Sequence, residues 1–142
     1  GRGFLLGDEG GGAVLGRALL SEALRAEDGF APMTPLLQDV LTELGGVDGV
    51  ISFGLRAKPV EFGSFAPRIV ESADPAAISI FDAAVAQIRD MIGMLQQGRD
   101  LPVIFLGGLG GHYAKRLAGL WDIRAPLGNG LDGALFLARQ EG

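Results

Sequence analysis

The chain contains no cysteine and a single histidine. Without thiols there can be no disulfides, thiolate zinc sites, iron–sulfur ligands or cysteine nucleophiles. The one histidine, His112, follows two glycines at an expected helix start, where the helix dipole disfavours an imidazolium. No Ser/Asp arrangement surrounds it, so nothing supports a catalytic triad. Apolar runs fall far short of the ~20 residues that a membrane span needs. No secretory pattern opens the chain, and a cytoplasmic protein with no membrane partner is expected. Basic residues are also sparse. Lysine and arginine total 12 against 17 acids, for a net charge of −5, and they are scattered rather than gathered in a stripe. Nucleic-acid binding is therefore not expected.

At 142 residues and 48% apolar, the chain is the size of one domain, 1–142, with enough material for a real core. Glycine is abundant, at 24 residues, more than twice the usual ~7%. The glycines cluster at the start of the chain, at Gly107 to Gly111 and at Gly128 to Gly133. Such crowding at element junctions suits a nucleotide- or sugar-binding α/β domain, because glycine lets backbone approach a ligand and adopt positive φ.

Asp8-Glu9 is read as the cap and first acid of a helix running to about Glu27, where Asp28-Gly29 stops it. Pro35 to Leu44 forms a second helix closed by Gly45-Gly46. Val47 to Leu55 is open between a strand and a helical turn. Lys58-Pro59 begins another helix through Phe62, Phe65, Ile69 and Val70. Asp74-Pro75 is a strong start for a helix of more than twenty residues, to about Gln97, with Ile78, Phe81, Val85, Ile88 and Ile92 at helical spacing. Pro102 to Leu106 reads as a fully buried parallel strand. A glycine loop follows, then a helix through Tyr113, Leu117, Leu120 and Trp121, a short strand in Ile123 to Leu127, and a last helix from Leu131 to Gln140.

Two places carry candidate chemistry. Val103 to Gly111 has the mechanics of a nucleotide site: a strand delivers the chain to a sheet edge, and bare glycines then lead into a helix N-terminus. It lacks the Gly-Lys-Ser/Thr of a phosphate loop and the GxGxxG fingerprint. A tight strand-to-helix connection, with glycines serving only close packing, is the competing reading. Asp8 and Glu9 either hydrogen-bond sugar hydroxyls or hold water on Mg²⁺, or else they cap the helix. Arg2 reads as a solvated side chain that could alternatively contact a phosphate or sugar oxygen. Asp132 reads as a first-turn helix residue, and Trp121, Phe81, Phe62 and Phe65 read as core.

Gly3-Phe4-Leu5-Leu6-Gly7-Asp8-Glu9-Gly10, about 100 residues before Leu106-Gly107-Gly108, resembles the C-terminal half of the BadF/BadG-type ATPase family. Close relatives in that family are the N-acetylglucosamine and glucosamine kinases of the sugar kinase/Hsp70/actin superfamily. The closing Leu127-Gly128-Asn129-Gly130-Leu131-Asp132-Gly133-Ala134-Leu135 is similar too, so the likeness covers nearly the whole chain.

The resemblance implies an α/β fold, the helix-rich C-terminal part of an RNase H-like (actin-like ATPase) domain with few, mainly parallel strands. It implies ATP with Mg²⁺, bound in a cleft against an N-terminal half that lies upstream of residue 1 with the phosphate motifs and the catalytic aspartate. Gly1, Arg2, Gly3 and Asp8 fall on its amino-sugar contacts. Gly107 and Gly108 fall on its adenosine-binding glycines, and Gly63 on a nucleotide-contacting helix. Arg2 stands where many members carry an aromatic residue, and Gly11 where serine is usual.

The implied activity is phosphorylation of N-acetylglucosamine or glucosamine on the 6-hydroxyl, with this piece inactive alone. An activator ATPase of the same superfamily is disfavoured by the lack of cysteines. A non-catalytic nucleotide- or sugar-binding regulator is the other alternative. Self-association into a homodimer, or the missing half, is expected to cover unpaired sheet edges.

Overall fold

The computed structural model describes residues 3–128 together with Asp132, Ala138 and Arg139. Gly1, Arg2, the Asn129-Gly130 turn and most of the expected Leu131 to Gln140 helix lie outside the described residues. The chain divides into two compact units, Gly1–Ile88 and Arg89–Gly142.

Among its described residues, the first unit is built of helices joined by turns, with no strand. Helix α1 (Gly12–Glu27) buries Leu15, Leu19, Leu20, Ala23 and Ala26 on one face and ends at Asp28-Gly29, as the sequence indicates. Its start differs from expectation. Gly11 is the capping residue, no side chain caps the helix, and the first turn holds no acid. Asp8 sits outside the helix because it adopts φ 60, a left-handed conformation that starts a turn rather than a helix.

Helix α2 (Pro35–Leu44) opens with Thr34 accepting from the Leu37 N–H at 3.4 Å, and closes on Gly45 at φ 88. The ambiguous Val47 to Leu55 stretch resolves as helix α3 (Gly46–Arg56), which buries Val50. The single helix expected from Pro59 to Val70 is two short ones, α4 (Pro59–Gly63) and α5 (Ala66–Val70). Pro67 explains the break, since it has no N–H to give the Gly63 carbonyl. The Ser64 hydroxyl closes α4 by donating to the Glu61 carbonyl at 2.6 Å. Phe62 and Phe65 are core, as read, and both meet the Phe53 ring edge-on, with centroids 5.3 and 5.8 Å away.

Helix α6 (Pro75–Gln96) begins where Asp74-Pro75 indicates. Asp74 starts more than its own helix. Its Oδ1 accepts from the Ala76 N–H at 2.9 Å, and its Oδ2 accepts from the Leu36 N–H in the first turn of α2 at 3.0 Å. Partial burial pushes this carboxyl up, but hydrogen bonds from Leu36, Thr34, Ala76 and Ala77 outweigh it, so its pKa falls below 3.8. A lowered carboxylate stabilises the fold above its unfolded-state pKa and loses that contribution as pH falls through the folded value. Asp74→Ala is expected to cost about 2 kcal/mol at pH 7, because two helix starts lose their acceptor. Urea unfolding at pH 7 and again well below pH 3.8 checks this. The gap between wild type and variant should narrow at the lower pH, and a pH-independent gap would assign the effect to packing instead.

In the second unit, α6 ends in a turn through Gln97 (φ 50) and Gly98 (φ 75). Gln96 is the buried polar residue beside this turn. It donates to the Leu101 carbonyl at 2.7 Å and accepts from the Leu101 N–H at 2.8 Å, which fixes the chain entering the sheet. Strand β1 (Val103–Ile104) runs parallel to β2 (Ile123–Arg124), pairing Val103 with Ile123 and Ile104 with Arg124.

The strand is parallel as expected, but it is neither long nor fully buried. Ile104 is 50% and Leu106 66% exposed, because β1 has a single neighbouring strand among the described residues. Helix α7 (Gly110–Arg116) closes earlier than the Tyr113 to Trp121 pattern suggests. Gly119, at φ 87, turns the chain away, so Leu117 is buried while Leu120 is exposed.

Candidate active site

In the first unit, the candidate site is the glycine turn ahead of α1. The N–H groups of Leu6 and Gly7 both donate to the Gly3 carbonyl, at 3.1 and 2.8 Å, and Gly11 donates to the Asp8 carbonyl at 2.8 Å. Gly3 and Gly10 hold positive φ, at 86 and 75. Asp8 shares that conformation although it has a side chain, and Gln97 is the other non-glycine residue with positive φ among those described. Such backbone strain costs on the order of 1–3 kcal/mol and gathers where ligands bind.

The turn is anchored rather than loose. The Phe4 ring packs 5.1 Å from that of Phe62, and the Arg17 guanidinium lies 4.9 Å above it. A Cβ at position 11 would stand 2.9 Å from the Asp8 carbonyl oxygen, so the turn in this form favours glycine there. Gly63, at the end of α4, lies within van der Waals reach of the first turn of α1, with 3.7 Å between its Cα and a Cβ placed at Gly12. Asp8 and Gly63 thus lie on either side of one helix start although they are far apart in sequence.

The second candidate lies in the other unit, where β1 runs into α7. Its glycines have different jobs. Gly107 takes φ 87 and its carbonyl accepts from the Gly110 N–H at 3.0 Å. Gly110 is buried, and a Cβ there would press on Phe105 at 3.2 Å. Gly108 and Gly111 face open space, with nothing within 4 Å of where a Cβ would stand. Close packing therefore accounts for Gly110 and turn geometry for Gly107, while Gly108 and Gly111 leave backbone bare. The Phe105 ring stacks on Tyr113 with centroids 6.2 Å apart, and burial pushes the Tyr113 phenol up to about 12. That phenol stays neutral at any physiological pH.

The loop forms one wall of a 690 Å³ cavity whose other wall is β2 and the segment through Pro126 to Gly128. This volume is in the range of small-molecule sites. With only seven residues, α7 adds little dipole to it.

No protein-family model matches the chain. Glucosamine kinase GspK of Vibrio cholerae is 29% identical over 145 residues, an alignment that takes in 97% of this chain and 49% of the relative. A crystal structure of a candidate N-acetylglucosamine kinase from Chromobacterium violaceum superposes with a TM-score of 0.84 at 30% identity, over 96% of this chain and 50% of that one. The resemblance to the amino-sugar kinases of the BadF/BadG-type family stands. The chain spans about half the length of these relatives. Its fold is the helix-rich, actin-like ATPase fold expected of their C-terminal part, with its small parallel sheet.

In the structure, the residues singled out in the sequence fall into two groups. Gly3 and Asp8 share the exposed turn in the first unit, and Gly63 lies beside the helix that the turn leads into. Gly107 lines the second unit's cavity and Gly108 stands next to it. Gly1 and Arg2 lie outside the described residues. The Asp132 carboxylate reaches Gly128 on the cavity wall, 2.8 Å from where a Cβ would stand. His112 is half-buried near the start of α7, and Phe81 is core, as read.

Among the described residues, no cluster of three or more His, Asp or Glu is placed to hold a metal. Sequence reasoning missed one pair, Arg124 on the cavity wall and its partner Asp122. Their i, i+2 spacing across a short strand was the available signal, since it puts both side chains on one face.

Proposed function

We propose that this chain is the sugar- and nucleotide-binding C-terminal part of an ATP-dependent kinase that phosphorylates glucosamine or N-acetylglucosamine on the 6-hydroxyl. The observation that carries the reading is the alignment of 97% of the chain with a glucosamine kinase. Asp8 accepts hydrogen bonds from sugar hydroxyls, with Gly3 leaving room beside it. Gly107 and Gly108 let the adenosine lie against bare backbone.

Phosphoryl transfer needs positioning and charge stabilisation more than covalent chemistry, so a site divided between two halves can remain incomplete until it closes on both substrates. The general base and the phosphate-binding loops belong to the other half of the polypeptide. Mg²⁺ that accompanies ATP takes one or two carboxylates with waters and the phosphates, and is assigned to that half with the phosphate-binding loops. The 142-residue piece alone is accordingly inactive. Homodimer formation is part of the proposal, supported by the exposure of Leu5, Leu6, Leu55 and Val60 on the first unit, from 76% to 88%. A cytoplasmic location is proposed too. No described helix is long and apolar enough to cross a membrane.

The test is a coupled ADP-release assay on the whole polypeptide with glucosamine, N-acetylglucosamine, glucose and no sugar. Amino-sugar-dependent ADP release, absent with glucose, is expected. Release that ignores sugar would point to an activator ATPase, and nucleotide binding without turnover would point to a regulator.

A further inference from the structure

The cavity between the glycine loop and β2 is lined mainly by apolar side chains and bare glycine backbone. Among its described lining residues, which include Phe105, Leu106, Ile123 and Pro126, Arg124 carries the only charge. Its guanidinium is held rather than free. Nε and Nη2 both donate to Asp122 Oδ2, at 2.8 and 2.6 Å. Among the described residues, the grip takes the Nε/Nη2 edge of the guanidinium and does not use its flat face or Nη1. Because Asp122 cancels its charge locally, the pair offers little net attraction for phosphate. What remains is a planar, weakly hydrated surface beside an apolar slot, the arrangement that stacks on an aromatic ring.

We infer that Arg124 is a specificity residue for the nucleotide, stacking its Asp122-held guanidinium on the purine base within this cavity. Asp122 is its positioning residue. The inference rests on the nucleotide site proposed above, adding a base contact to a loop that otherwise offers only backbone.

The test is calorimetric titration of adenosine and of ADP into the full-length polypeptide, as wild type, Arg124→Ala and Arg124→Lys. Arg124 is exposed on a two-stranded sheet, so neither change threatens the core. Both variants are expected to weaken adenosine and ADP alike, by about tenfold, because lysine keeps the charge but not the plane. Weakening of ADP alone, or full rescue by lysine, would make Arg124 a phosphate contact and overturn the proposal. Wild-type binding that shifts the Gly107 and Gly110 amide resonances but is indifferent to both variants would overturn Arg124 while leaving the site intact. No wild-type binding of either ligand would overturn the nucleotide site and Arg124 with it.

Discussion

Gly16→Ala is expected to destabilise the protein by about 3 kcal/mol, despite alanine's better helix propensity. Gly16 is buried on the face of α1 that crosses α4, and a Cβ there would collide with the Phe62 carbonyl oxygen. The Phe62 carbonyl carbon would be 2.7 Å away and its Cα 3.3 Å. All of these are backbone atoms, so no rotamer change relieves the contact and one helix must move. Movement is costly here because Phe62 also carries the Phe4 and Phe53 rings. One turn earlier, a methyl at Gly12 would meet the Ala66 Cβ at 3.3 Å and the Gly63 Cα and carbonyl oxygen at 3.7 Å, none of them a collision, so Gly12→Ala should cost less.

Gly93 is the control, lying inside α6 with open space around it. Gly93→Ala should stabilise by roughly 0.5–1 kcal/mol through the unfolded chain. Denaturant unfolding of the three variants reads all of this. A Gly16→Ala protein as stable as wild type would mean that α1 and α4 cross less closely than described.

What the sequence made legible divides along physical lines. Helix starts and stops set by local chemistry were readable: Asp74-Pro75, Pro35, Gly45 and Asp28-Gly29 all act where they stand. Boundaries set by a partner elsewhere were not. The burial expected for Pro102 to Leu106 depends on neighbouring strands, and the described sheet supplies one. The close approach of α1 to α4 leaves no local trace beyond a glycine that looks like any other. Asp74's second helix start lies 38 residues away and has no sequence signature.

The two glycine clusters stood out as candidate sites because their density exceeds what turns need. Even so, their individual roles, with Gly110 packing and Gly107 turning, came only from the distances around them. Arg124 was missed because a lone arginine after an aspartate reads as a solvated pair until the cavity beside it is known.

On the proposed function, Asp8→Asn is expected to lower sugar-dependent turnover of the whole polypeptide by at least about a hundredfold, while leaving nucleotide affinity and stability close to wild type. The substitution suits this position. Asp8 lies at φ 60, where asparagine is among the few residues tolerated, so the turn survives and only the charge is lost. Alanine would confound the two effects by straining the backbone as well. A charged acceptor contributes about 1.5–3 kcal/mol per hydrogen bond, and two sugar hydroxyls meeting one carboxylate account for the hundredfold loss.

Helix capping makes the opposite forecast. Gly11, not Asp8, caps α1, and the helix's first turn holds no acid, so removing this charge takes no cap from the helix. Steady-state kinetics with varied amino sugar, paired with urea unfolding of the same variant, separates the two. Unchanged kcat/KM together with a lower midpoint would make Asp8 a turn-forming residue and send the search for the sugar ligand elsewhere. Glu9→Gln provides the internal comparison, since Glu9 is equally exposed but outside the left-handed position, and its effect on turnover should be the smaller one.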